Sequence, residues 1–270
     1  MKINGIISLN GLGLHSGKNC ELIIEPYDCE EILMKSGENE LPLKNFSLSG
    51  TNRGSDYIFP DSSEKIRTCE HVLSALTGLE IFSGARITVN GGEMPALDGC
   101  AKTVCDEIKK HCENSQEKTR VYNLTKPVEV RDESYKRFVA AFPSDCLRIT
   151  YVVEYDFIGA QVFDYVQTPE NYLENIASAR TFAMESEINY LRSHGMALGG
   201  SLDNAIVVGE KIQASGGLRW PNEFVRHKIL DLIGDLSSLG GKVNAHIIAC
   251  RAGHELHLKL AQELKQNIIL

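Results

Sequence analysis

Residues 222–239 read NEFVRHKILDLIGDLSSL. The asparagine and the proline before it can begin a helix, and apolar side chains recur at helical spacing at positions 225, 229, 232, 233 and 236. His227 and Asp231 lie four residues apart and therefore share one face of this helix, which Asp235 extends by a further turn. A histidine and a carboxylate one turn apart can hold a metal ion, but the residues alone favour a solvated helix face, because such pairs are common.

The rest of the chain alternates between strand and helix patterns in both halves. The predicted strands cover 20–25, 85–89, 139–155 and 205–208, and the predicted helices cover 69–79, 104–108, 169–176 and 185–191, with a closing helix at the end. Periodicity is lost at 111–120, where we place a linker between domains 1–117 and 118–270. Two halves of similar size and element order predict an α+β fold with an internal duplication.

The composition is that of a globular protein. The 270 residues are 43% hydrophobic and 24% charged, which excludes a disordered or collagen-like chain. A net charge of −8 without a basic patch argues against a nucleic-acid partner. There is no apolar run of about 20 residues and no signal-peptide pattern, so we expect a cytoplasmic protein without a transmembrane segment. The 8 cysteines include no C-x-x-C pair, which argues against a zinc ribbon.

Two further histidine segments are candidates for chemistry. Glu70 and His71 lie at the start of a predicted helix, where they can supply a metal ligand and a carboxylate beside an activated water. From the residues alone, the simpler interpretation is that Glu70 complements the helix dipole and His71 packs or is solvated. Residues 253–257 read GHELH, in which His254 and His257 can form a metal pair or supply a general acid. We assign His257 to an ordinary helix position.

Two glycine-rich segments complete the pattern. Residues 11–17 read GLGLHSG, one residue away from a dinucleotide-binding fingerprint, but they precede a strand where that motif requires a helix. We therefore interpret them as a loop or hairpin. Residues 199–204 read GGSLDN, which lets the backbone approach a neighbouring strand or a ligand closely.

In their joint order, these segments carry a resemblance that spans nearly the whole chain. The chain resembles the UDP-3-O-acyl-N-acetylglucosamine deacetylases, zinc amidases that catalyse the committed step of bacterial lipid A synthesis. The matching segments are GLGLHSG (11–17), CEH (69–71) with Leu76 and 78–79, EMPALDG (93–99), SARTF (178–182), GGSLDNA (199–205), RHKILDLIGDL (226–236) and GH (253–254). The resemblance reverses the preference for solvated or packed roles at positions 70, 71, 227, 231 and 254.

The resemblance implies a zinc amidase site. The implied zinc ligands are His71, His227 and Asp231, with one Zn²⁺ per chain and Fe²⁺ as the alternative metal in the cell. The implied catalytic residues are Glu70 as general base, Thr181 as an oxyanion donor, His254 held cationic by Asp235, and Lys228. Either His254 or Glu70 delivers the proton to the departing amine, and the sequence leaves that choice open.

The resemblance also implies the fold and the substrate. The fold would be two related β-α-α-β layered domains packed face to face, with the active site at their interface. An insert at about 182–207 would form an apolar passage for the acyl chain, although core packing explains its residues nearly as well. The implied lining residues are Phe182, Ile188, Ala197, Gly200, Leu202 and Val207. His15 and Lys228 would meet the diphosphate side of the substrate, UDP-3-O-acyl-N-acetylglucosamine, and the enzyme would be a monomer in peripheral contact with the inner membrane.

The chain departs from the family pattern in three loops. EIFS replaces GIDN at 80–83, Ala96 and Leu97 replace Ile-Met, and Ala183 replaces a glycine. None of these positions is an implied ligand, so they bear on substrate fit. Two alternatives follow: a zinc amidase for a different acylated amino sugar, and a binding protein without turnover. The retained carboxylate beside the ligand set argues against the second, because a binding protein needs no base.

Overall fold

The protein has a mixed α+β fold, as the sequence predicts. A computed structural model describes residues 1–51, 53–60, 62–114, 119–134 and 136–269. The first half contains β1 (Lys2–Ile3), β2 (Ile7–Leu12), β3 (Asn19–Pro26), β4 (Leu33–Ser36), β5 (Asn39–Pro42), β6 (Ser47–Thr51), β7 (Gly54–Ile58), β8 (Lys65–Ile66), α1 (Glu70–Gly78), β9 (Ala85–Asn90), α2 (Lys102–Lys110) and β10 (Cys112–Glu113).

The second half begins after the segment 115–118, which lies outside the described residues. The predicted domain boundary between 117 and 118 falls there and stays a prediction. The elements are β11 (Val121–Leu124), β12 (Val128–Arg131), β13 (Phe138–Pro143), β14 (Arg148–Tyr155), β15 (Gly159–Val166), α3 (Pro169–Asn175), β16 (Phe182–Met184), α4 (Glu185–Ser193), β17 (Ile206–Val208), β18 (Ile212–Gln213), α5 (Glu223–Asp235), β19 (Lys242–Cys250), α6 (His254–Asn267) and β20 (Ile268–Ile269).

The two large sheets share one arrangement of strands. In the first, the order is β2-β3-β9-β4-β5, with β9 antiparallel to β3 and parallel to β4. In the second, β19 is likewise antiparallel to β13 and parallel to β14, while β12 and β15 occupy the outer positions. A helix precedes and follows the central strand in each half: α1 and α2 flank β9, and α5 and α6 flank β19. The halves therefore repeat one α+β unit, which matches the predicted duplication.

Helices α1 and α5 pack directly against each other in the interior. Every residue of α1 is buried, and Lys228 is the only residue of α5 that is not. The solvated-face interpretation of the histidine and aspartate pair is therefore wrong. The helices approach closely at Gly234, where a Cβ atom would lie 2.0 Å from the Glu70 carbonyl oxygen. Only glycine allows that approach.

The predicted loops agree with the structure. Residues 11–17 cover the end of β2 and the turn that leads back to the antiparallel strand β3, as expected for a hairpin. The backbone approach predicted at 199–204 is made to this hairpin, because the Gly199 amide donates to the Leu14 carbonyl. Within the described ranges, no helix combines the length and hydropathy needed to span a bilayer.

Candidate active site

Three potential metal ligands converge where α1 meets α5. His71 lies in the first turn of α1, and His227 and Asp231 lie one turn apart on α5. Their ligand atoms all lie within 4.8 Å of one another, and all three side chains are buried. The packing of α1 against α5 therefore brings one ligand from the first half of the chain to two from the second half. His71 and His227 are more than 150 residues apart in the sequence.

The protonation of His227 makes it a competent ligand. Its Nδ1 lies 3.0 Å from the Ala179 carbonyl oxygen, which can only accept, so Nδ1 carries the hydrogen. Burial lowers the pKa of His227 to about 3, so the ring is neutral and Nε2 presents a lone pair. The buried ion pair between Arg180 and Glu223 ties the segment around Ala179 onto the start of α5, with a distance of 2.9 Å.

The Asp231 carboxylate faces this lone pair without a hydrogen between them. Its Oδ1 lies 3.2 Å from His227 Nε2 and 3.7 Å from His71 Nε2. This oxygen is buried and, among the described residues, has no hydrogen-bond partner. An anionic oxygen against an imidazole lone pair is repulsive unless a cation lies between them. The donor set thus fits a metal ion held by two imidazoles and one carboxylate.

Lys228 supports the second oxygen of the same carboxylate. Its Nζ lies 2.7 Å from Asp231 Oδ2. Burial alone would lower the pKa of Lys228, but Asp231 outweighs it and raises the pKa above its usual value. Burial likewise opposes ionisation of Asp231, yet the cationic Lys228 and His254 hold its pKa well below the usual range. Lys228 also lines a cleft of about 400 Å³ on the solvent side of the site.

Glu70 precedes His71 and points into the same interior. Its Oε2 accepts a hydrogen bond of 2.9 Å from the Ser55 amide on β7. The side chain is buried, and that burial raises its pKa while the nearby histidines partly offset the rise. A buried carboxylate with a raised pKa and one fixed oxygen is suited to exchange protons with a water on its free side.

His254 occupies the opposite side of Asp231. Its Nδ1 lies 2.9 Å from Asp235 Oδ2, and its Nε2 lies 3.6 Å from Asp231 Oδ2. Burial alone would lower the pKa of His254, but Asp235 and Asp231 outweigh it and raise the pKa to about 9. The ring is therefore a cation at neutral pH.

Sequence analysis missed two side chains of this cluster. Ser55 donates its hydroxyl to Asp235 Oδ1 as well as its amide to Glu70. His257, predicted as an ordinary helix position, is fully buried, and its Nδ1 lies 2.8 Å from Asp235 Oδ2. The spacing of His257 one turn after His254 was a usable signal, whereas Ser55 has no local signal because strand β7 reaches the site only through tertiary packing.

An apolar cavity of about 170 Å³ is lined by Phe182, whose ring centroid lies 6.2 Å from that of the candidate ligand His227. Its walls come from the segment 181–207 and from the hairpin before β3. The lining includes all six residues that the sequence predicts for the passage, and it adds Leu14, Leu191 and Ala205. Thr181 also lines it, with its backbone bonded to Gly99 and Ile206.

His15 lies in the wall of the same cavity and not in the cleft around Lys228. Its Nδ1 accepts from the Ala197 amide at 3.3 Å, and its Nε2 lies 3.1 Å from the Arg53 carbonyl. Both ring nitrogens are thus bonded to the backbone. The cleft itself presents Arg137, Arg251 and Lys228, together with His254.

Comparisons with known proteins agree with this geometry. The family model described as LpxC, UDP-3-O-acyl N-acetylglycosamine deacetylase, matches residues 1–266. A UDP-3-O-acyl-N-acetylglucosamine deacetylase of Aquifex aeolicus is 38% identical over 265 residues, covering 97% of this chain and 91% of that protein. Proteins of the same name from Campylobacter jejuni (37% identical, 95% and 88% covered) and Thermodesulfovibrio yellowstonii (38% identical, 97% and 90% covered) are similar throughout. The chain therefore belongs to the UDP-3-O-acyl-N-acetylglucosamine deacetylase family.

Proposed function

We propose that the protein hydrolyses the acetamide of UDP-3-O-acyl-N-acetylglucosamine, releasing acetate and the free amine, the committed step of lipid A biosynthesis. The observation that carries the proposal is Asp231 Oδ1, which lies near two imidazoles and has no hydrogen-bond partner in the described part of the chain, next to the buried carboxylate of Glu70. A metal-ligand set with an adjacent base is the constellation of a metal-assisted amidase.

The metal would be one Zn²⁺ per chain, with Fe²⁺ as the alternative. His71, His227 and Asp231 would hold it, and the neutral His227 ring and ionised Asp231 are the protonation states that binding needs. A Zn²⁺ ion with three protein ligands supplies Lewis acidity and makes a nucleophile available near pH 7.

The chain's own groups would move the protons. Glu70 takes a proton from the attacking water through Oε1, while the Ser55 amide holds Oε2 in place. His254, a cation at neutral pH, stabilises the negative charge that develops on the acetamide oxygen and donates a proton to the departing amine. The Thr181 hydroxyl would serve as a further oxyanion donor and Lys228 would fix Asp231.

The substrate's two ends would occupy two different spaces. The acyl chain would enter the apolar cavity formed by the insert at about 182–207, whose walls are predominantly aliphatic and aromatic. The UDP end would lie in the cleft, where the arginine and lysine side chains outnumber the two carboxylates and suit a diphosphate. The four cationic residues are Arg53, Arg137, Lys228 and Arg251, and the carboxylates are Glu154 and Glu187. His15 would contribute from the boundary at Arg53, whose side chain lines both spaces.

We further propose that the repeated α+β units are two layered domains, 1–117 and 118–270, with the active site between them. The common strand order and the packing of α1 on α5 support this division.

Peripheral contact with a membrane is supported by exposed apolar side chains around the cavity, Tyr190, Leu198 and Leu202. We also propose that the reaction takes place in the cytoplasm.

An acetate-release assay tests the proposal. The metal-loaded protein is incubated with UDP-3-O-acyl-N-acetylglucosamines of several chain lengths and with the unacylated sugar. We expect turnover with strong preference for acylated substrates, and Glu70→Gln should lower kcat by about 10²–10⁴-fold while retaining the metal. Glu174→Gln, on the exposed side of α3, is the matched control.

Three results would contradict parts of the proposal. Absence of acetate release from every substrate would overturn the activity. Equal rates with acylated and unacylated sugars would favour an amidase for a different amino sugar. An unchanged kcat in Glu70→Gln would overturn the role of Glu70 as the base.

A further inference from the structure

The Asp235 carboxylate is held by three donors from two different elements. His254 Nδ1 and His257 Nδ1, both on α6, lie 2.9 and 2.8 Å from Oδ2, and the Ser55 hydroxyl on β7 donates to Oδ1. All four side chains are buried. The orientation of His254 toward the metal ligands therefore depends on where this carboxylate is fixed.

His257 is itself anchored from behind. Its Nε2 lies 2.9 Å from the hydroxyl of Tyr151, a fully buried residue of β14. The Tyr151 hydroxyl also lies 2.8 Å from the Ala252 carbonyl oxygen, in the turn that leads into α6. A chain of polar contacts thus runs from β14 through α6 to α5, and it ends at the nitrogen of His254 that faces Asp235.

Hydrogen-bond chemistry determines which atom is the donor in these contacts. A carboxylate only accepts, so the hydrogen of His257 is on Nδ1, against Asp235. The Ala252 carbonyl oxygen likewise only accepts, so the single hydroxyl hydrogen of Tyr151 is directed at Ala252, and the Tyr151 oxygen lies against His257 Nε2.

We infer that His257 is a positioning residue for the deacetylation reaction: with Tyr151 behind it, His257 fixes the Asp235 carboxylate that orients His254. This inference rests on the proposed function, in which His254 acts on the departing amine. Without the Nδ1 donor, Oδ2 of Asp235 keeps one partner and the carboxylate gains freedom to rotate. A displacement of about 1 Å at a reacting group can cost about 10²-fold in rate.

Substitutions at position 257 separate positioning from packing. His257→Leu replaces the imidazole with an apolar side chain of similar size and so removes the donor. We expect kcat to fall at least 10-fold with little change in KM or metal content. His257→Asn places an amide N–H near the position of Nδ1 and should restore kcat to within about 3-fold of the native enzyme. Tyr151→Phe removes only the hydroxyl and should lower kcat by a smaller factor. His246→Leu, on β19, is the control for loss of a histidine remote from the site.

A measurement without substrate tests the same contacts. In ¹⁵N-histidine-labelled protein, long-range proton–nitrogen spectra should show His257 with a protonated Nδ1. Tyr151→Phe should shift the Nε2 resonance of His257 and not that of His246.

The two readouts keep the inference separate from the proposed function. One outcome is that the native protein releases no acetate although Nδ1 of His257 carries a hydrogen. The proposed function then fails, and with it the positioning role for this reaction, while the contacts themselves stand. If the native protein is active and His257→Leu keeps kcat within 2-fold, or if His257→Asn loses as much kcat as His257→Leu, positioning by His257 is wrong and the proposed function stands.

Discussion

Gly234 is the point at which a single methyl group should disturb the metal site without touching a ligand. It lies on α5 between Asp231 and Asp235, and a Cβ atom at this position would lie 2.0 Å from the carbonyl oxygen of Glu70 on α1. The neighbouring atom is helix backbone and cannot rotate away. Gly234→Ala must therefore push α1 and α5 apart at the level where Glu70 and His71 meet His227 and Asp231.

The size of the effect follows from that distance. Ordinary Cβ contacts begin near 3.4 Å, so the helices must separate locally by about 1.4 Å. Overpacking of this kind costs about 1–3 kcal/mol or more, and the better helix propensity of alanine returns at most about 1 kcal/mol. At about 2–4 °C per kcal/mol for a chain of this size, we expect Tm to fall by several degrees. The shift also exceeds the tolerance of about 0.2 Å for metal–ligand distances, so metal affinity should fall at least 10-fold.

Three measurements on the purified variant check this prediction: thermal unfolding, competition for the metal with a chelator, and kcat/KM for acetate release. Ile233→Val is the matched control, because it removes a buried methylene next to Gly234 without adding bulk toward α1. The control should lose about 0.5–1.5 kcal/mol and keep native metal affinity. Native Tm, metal affinity and kcat/KM in Gly234→Ala would show that the α1–α5 approach does not set the site geometry.

Three further predictions concern the metal, the pH profile and the cavity. His227→Ala should lose the bound metal, whereas His246→Ala should keep it; equal metal content in both, by elemental analysis, would remove His227 from the ligand set. The kcat/KM profile should be bell-shaped: it should fall in acid as Glu70, with its pKa raised above 4.5, gains a proton, and in alkali as His254, with a pKa of about 9, loses one. A profile flat between pH 5 and 10 would contradict both roles. Ala197→Phe should fill part of the 170 Å³ cavity and raise KM for long-chain substrates more than for short-chain ones, and an equal change for both would place the acyl chain elsewhere.

The site residues differ in how visible they are in the sequence. His227 and Asp231 are one turn apart on a single helix, so their common face follows from local geometry. Glu70 and His71 are adjacent, but their link to α5 became predictable only through the resemblance. Ser55 could not be predicted, because β7 reaches Asp235 through the packing of one half of the chain on the other.

The burial of the polar side chains explains why the local sequence pattern indicates a solvated helix face where the structure has a buried one. The polar side of α5 has the spacing of a solvated helix face, yet His227, Asp231 and Asp235 are at most 2% exposed. Helical periodicity detects which residues share a face, but it does not reveal that a second helix covers that face. The same limit applies to His257, whose buried contacts with Tyr151 and Asp235 come from three separate elements.

The sequence by itself determined the α+β class, the positions of the main helices and strands, the family and the candidate ligands, because these depend on local periodicity and on the order of motifs. Only the tertiary structure decided that α1 and α5 meet at Gly234 and that Asp231 Oδ1 lies near two imidazoles with no hydrogen-bond partner among the described residues. Tertiary packing also set the proton states: removal of water lowers the pKa of His227, while the paired carboxylates raise that of His254. These properties depend on charges and contacts brought together from distant parts of the chain, which no local pattern contains.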